Sequence, residues 1–210
     1  MTTAGIRKTI SAALAHEQGT GAFRRRLEER LPALREKLLL PEEEPLEALI
    51  TFVVNYTESV PGSLNLVTAI SKRQGFHDYA APFLHMAEDY FLRPPDVLPG
   101  EGGLEAVLDE AFLAHRLLEE VNDHHIRYLQ RPLLPVDMTE ANLVVHHLLG
   151  DELATRLERL VQFAASHHLE REYIWERVKN LPGVEPASPA LISSNSLTHA
   201  NQAIRLRLGY

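Results

Sequence analysis

This sequence predicts an all-α fold, a multi-helix bundle of about six to eight helices with up-down antiparallel connections in its central part. Three observations carry that expectation. Apolar residues recur at spacings of three and four from residue 5 to about residue 180. No stretch in that region alternates apolar and polar residues as a half-buried strand does. Proline and glycine are concentrated in short breaks such as "PEEEP", "RPPDVLPGEGG" and "RPLLP".

The elements follow in order. A short helix is expected over residues 5–17, stopped by "EQGTG". A second is expected over 21–39, where Phe23, Leu27, Leu31, Leu34 and Leu38 form an apolar stripe and Pro32 bends the axis. Proline and acids in "PEEEP" mark the start of the next helix, because both suit the positive end of a helix dipole. That helix covers 45–59 and is expected to end before "SVPGS", with a shorter one over 63–73. Helix 76–92 comes next, then the two longest, 104–130 and 138–170, joined by "RPLLPVDM". Asp137 and Glu140 have capping-box spacing at the start of the last. A final core helix near 170–180 carries the sole tryptophan, Trp175.

The expected organisation is one helical domain over 1–181, in which the basic helices of 1–40 pack on the bundle. A Pro/Ser-rich linker over 182–196 and an amphipathic C-terminal tail over 197–210 follow. The tail regains apolar spacing at Leu197, Ile204 and Leu208, which suits a helix docking on this core or on a second copy. A homodimer or a protein partner held through the tail is therefore expected.

Composition narrows the function classes. The chain has 210 residues, 45% hydrophobic and 24% charged, enough for a proper core. Its net charge of -8 argues against a generic nucleic-acid binder and against anionic membranes. Residues 1–38 hold eight Lys/Arg against four Asp/Glu, but the apolar stripe puts most of those arginines on a solvated face. Cysteine is absent, which excludes disulfides, thiolate nucleophiles and cysteine-ligated clusters. The apolar core of the first 19 residues is shorter than the roughly 7–15 residues of a secretory signal, so a cytoplasmic protein is expected. "GEGG" lacks the flanking strand and the Lys-Ser/Thr of a phosphate loop, and there is no Gly-x-Ser-x-Gly elbow.

The chemical clue is "LLEEVNDHHIRYL", Leu117 to Leu129. Leu104, Leu108, Ala111, His115, Leu118, Asn122, His125 and Leu129 alternate spacings of four and three, the seam of a packed helix. His115, Asn122 and His125 thus sit where Leu or Ala would be the plain choice, with Glu119 on the stripe's edge. Folding 104–130 against 138–170 as an antiparallel hairpin brings His147 level with Asn122, and Asp151 near Glu119. His147 and Asp151 share a face, and Gly150 between them suggests a close approach by a helix or a ligand. The preceding helix adds His77 and His85 as further contributors.

Imidazole and carboxylate groups on facing helices are how bundles hold zinc, iron or manganese. The expected metal set is His115, Glu119, His147 and Asp151, with Asn122, His125 and Gly150 as ligand-binding residues. The Glu-x-x-His spacing of di-iron bundles is missing, since Asn122 and Asp123 stand three residues after Glu119 and Glu120. A structural polar cluster accounts for the same residues by satisfying its own N–H groups. The balance favours an interaction module, or one binding a small apolar ligand, without chemistry. The alternative is a metal-dependent helical enzyme.

Overall fold

The computed structural model describes residues 3–93, 103–134, 137–168, 173–179 and 204–207. Its described residues form eight helices and one pair of two-residue strands, the all-α bundle expected. No helix among them is long and apolar enough to cross a membrane.

Helix α1 (Ala4–Thr20) runs through the "EQGT" that was expected to stop it and ends at Gly21, whose φ of 59° closes the helix. Helix α2 (Ala22–Lys37) begins at once, and the Glu17 carboxylate serves its first turn by accepting from the amides of Phe23 (2.9 Å) and Arg24 (3.0 Å). Those amides have no partner inside their own helix, so an acid there stabilises the start. Phe23, Leu27 and Leu34 are buried, as the stripe requires.

Strand β1 (Leu38–Leu39) follows, then α3 (Pro45–Gln74). Here the structure corrects the sequence reading, because the two helices expected over 45–59 and 63–73 are one helix of 30 residues. Pro61 removes an N–H from the ladder, a cost of about 3 kcal/mol inside a helix. Yet Val60, Pro61, Leu64 and Val67 all bury on one side, and that burial holds the axis together.

Helix α4 (His77–Leu92) and helix α5 (Leu104–Leu129) complete the central bundle. Helix α3 runs the same way as α5, since Tyr56 meets His115 and Gln74 meets His125. Helix α4 reverses between them, its first turn reaching the far end of α5 where Tyr79 packs on His124. Helix α5 is enclosed: Val107 through His115 are all buried without interruption. An apolar stripe was read for this helix, but its middle is core on every side.

The helix expected over 138–170 is two, α6 (Thr139–Leu149) and α7 (Asp151–His168). Gly150 separates them with φ 90° and ψ 152°, a backbone region open essentially to glycine alone. Arg30 of α2 caps α6 by donating to the carbonyls of Leu148 (2.5 Å) and His147 (3.2 Å), which lack acceptable partners at a helix end. Helix α8 (Tyr173–Lys179) inserts Trp175 among Phe76, Tyr79, His125 and Tyr128.

Strand β2 (Arg205–Leu206) pairs antiparallel with β1, Leu38 opposite Leu206 and Leu39 opposite Arg205. The described part of the expected tail helix is therefore a strand on its own chain, and Ile204 is buried beside it. The expected linker, 182–196, lies outside the described residues.

Candidate functional site

A polar network crosses the junction of α3, α5 and α6. The Tyr56 phenol donates to Asn142 Oδ1 at 2.7 Å, and Asn142 Nδ2 donates to Glu119 Oε2 at 2.7 Å. Glu119 also accepts from the Thr139 hydroxyl (3.2 Å) and pairs with Arg116 one turn earlier on α5. The orientation of the Asn142 amide follows from the network, because only its NH₂ can serve a carboxylate. Burial first, and then the Glu119 charge, raise the Tyr56 pKa well above the ordinary phenol value, so its proton stays in place to donate.

His115 belongs to the same junction. Its Nε2 lies 2.9 Å from Ser59 Oγ and 3.2 Å from the Tyr56 carbonyl, and its ring packs on Tyr56 at 4.5 Å. Ser59 spends its hydroxyl proton on the same carbonyl at 2.7 Å. Nε2–H is then the donor, with Ser59 and Tyr56 as acceptors. Burial lowers the His115 pKa to about 4, so the ring is neutral in neutral solution. This serine is an acceptor for a histidine N–H, the reverse of an activated nucleophile.

Asn122 and His125 have other work. Asn122 Oδ1 accepts from the amides of Leu133 (2.9 Å) and Leu134 (3.1 Å), tying the turn after α5 back to that helix. His125 Nδ1 donates to the Arg131 carbonyl at 2.7 Å, and Nε2 faces the Gln74 side-chain amide at 3.0 Å. Burial lowers its pKa, which favours the neutral ring. The Gln74 atom placed there is Oε1, and a neutral ring that donates from Nδ1 requires this amide turned so that its NH₂ faces Nε2.

His147 and Asp151 sit elsewhere, at the α6–α7 break. Asp151 is exposed and approaches Lys37 (3.5 Å) and His146 (3.4 Å). Lys37, above all, lowers its pKa. His147 is half-buried, and desolvation, with Lys37 second, lowers its pKa. The hairpin register expected from the sequence is thus wrong: Glu119 meets Thr139 and Asn142, not Asp151. The expectation assumed an unbroken helix and a tight connection, whereas residues after α5 first turn back onto Asn122. Gly150 marks a backbone turn and not a close approach, since a Cβ there would meet only Arg30 Nη2 at 3.9 Å. His85 is exposed on α4, and His77 is engaged with Ser71 at 2.9 Å.

The four proposed metal ligands therefore divide between two places. Among the described residues, no group of three or more His, Asp or Glu side chains is arranged to hold a metal ion. Among the described residues, the four expected ligands do not converge as zinc, iron or manganese requires, since a closed or catalytic site takes at least three converging protein ligands.

Sequence reasoning missed Tyr56, Ser59, Arg116 and Asn142, the residues that complete the network. A tyrosine and a serine three apart before a helical proline were the only available signal. No known family, no curated protein and no solved structure matches the chain.

Proposed function

We propose that this chain is an interaction or small-ligand-binding module without chemistry of its own, with the α3/α5/α6 junction as its binding locus. One observation supports the reading above others. The polar groups of the junction satisfy one another, from Ser59 and His115 through Tyr56, Asn142 and Glu119, so they hold a shape and activate nothing. Preformed sites with a few oriented polar groups in apolar surroundings are the common form of a ligand site.

Arg116 brings the locus to the surface. Its side chain remains 26% exposed while its guanidinium is held by Glu119. A guanidinium fixed in this way and still reaching solvent suits a carbonyl or carboxylate on an incoming molecule. The partners expected from the sequence fit here as alternatives of size: a small, largely apolar ligand with one acceptor, or a protein segment presenting one.

The test is a fragment screen read by amide chemical shifts of the full chain. Carboxylate- or carbonyl-bearing fragments should move resonances around Ser59, Arg116, Glu119 and Asn142, and Arg116→Gln should abolish the response. Shifts gathered elsewhere, or undiminished in the variant, would refute the assignment.

A further inference from the structure

Two acids lie in the enclosed middle of α5. Asp109 is 1% exposed and Glu110 5%, between Val107, Leu108, Ala111 and Phe112, which are all buried. Asp109 Oδ1 and Glu110 Oε2 have no hydrogen-bond partner. Neighbours in a helix point about 100° apart, so the two carboxyls do not share one proton or one cation. Each occupies its own part of the core.

The charges around them offer little relief. Glu105, on the same helix, and Arg26, on α2, act on Asp109, and Arg26 is itself engaged with Glu105 at 2.6 Å. Among the described residues, Asp109 is the one charged group that acts on Glu110. Helices α1, α3, α4, α6, α7 and α8 also pack on α5, and none of their described residues contributes charge to either carboxyl. An ionised carboxylate without a counter-charge is among the costliest groups to bury, and retaining the proton avoids that cost.

We propose that Asp109 and Glu110 form a proton-operated device in α5: the bundle encloses both as neutral acids and loosens around the first half of that helix when alkaline solution removes their protons. Burial is the leading cause in both, raising Asp109 to about 7 and Glu110 to about 8. In the unfolded chain both titrate near the ordinary carboxyl value of about 4. The folded state then binds more protons than the unfolded state above about pH 4. The resulting stability is complete below that point and is lost as pH rises through about 7 and about 8.

The shifted histidines and tyrosines of the described residues lie outside the upper part of this window, while Glu120 and Asp123 are raised by burial as well. The shifted histidines His77, His115, His125 and His147 are all lowered, so they titrate below their ordinary range. Tyr56 and Tyr90 are raised above theirs. Urea unfolding of the full chain at about pH 7 and about pH 9 spans the loss from the two acids, and the double variant carries whatever every other group contributes. The folding equilibrium constant of the wild type should fall about tenfold or more between them, and that of the Asp109→Asn, Glu110→Gln double variant less than about twofold. Equal falls in the two proteins would overturn the proposal. A carbon NMR titration of the wild-type carboxyls decides the matter even if the variant does not fold. Midpoints above about 6 for Asp109 and Glu110 uphold the device, and midpoints near the ordinary value of about 4 refute it.

Discussion

Asn142 shows best what a single side chain does in this molecule. It accepts a hydrogen bond from Tyr56 and donates one to Glu119, linking three helices through one amide. Removing the phenol in Tyr56→Phe leaves Asn142 Oδ1 buried without its donor, a loss of about 1–3 kcal/mol in urea unfolding. His115 adds a pH dependence of opposite sign to that of the buried acids. Its pKa is lowered to about 4, so the unfolded chain binds more protons below the ordinary histidine value of about 6.5. Stability from His115 is complete above that value and is lost as pH falls toward about 4. His115→Gln should flatten the acid limb of a stability profile, and an unchanged limb would place the titration elsewhere. Of these residues, His115 was legible because it interrupts a regular seam, and Glu119 because it lies on the edge of that seam. Tyr56 and Asn142 were not, since a buried tyrosine and asparagine look like any half-polar helix positions until their partners are known.

At the scale of elements, boundaries were harder to read than elements. Every expected helical segment is helical, yet Pro61 was taken as a stop inside α3 and Gly150 as a helical residue. The two errors have different causes: tertiary burial outweighs local propensity at Pro61, whereas at Gly150 the backbone adopts an angle that no continuous helix allows. Pro61 sits beside Val60 and Leu64, whose burial offsets the missing hydrogen bond. Gly150 takes φ 90° where no side chain is comfortable. Gly150→Ala should therefore cost about 1–3 kcal/mol, although the space beside it is open. A neutral effect in thermal unfolding would show that the α6–α7 break is not held by that backbone angle. The misplaced break is also why the sequence brought His147 and Asp151 to Glu119: a continuous α6–α7 carries them along the wrong axis.

For the whole molecule, the class of fold was plain from periodicity, and the placement of residues 204–207 was not. A tail with helical spacing instead supplies Ile204 to the core and a strand to β1. Deleting residues 204–210 should lower stability by about 1.5–3 kcal/mol, the value of one fully buried aliphatic side chain. Sedimentation of the shortened chain should match that of the full one, and a shift from dimer to monomer would restore the intersubunit arm. The central claim is that the polar groups of the bundle hold a binding module together without a metal. It is tested most directly by thermal unfolding of metal-free protein at about pH 7.5, where free imidazoles are neutral, against rising zinc, manganese and ferrous iron. The account predicts one midpoint throughout. A midpoint that climbs with the logarithm of free metal concentration would contradict it, because only a metal bound by the native state does that.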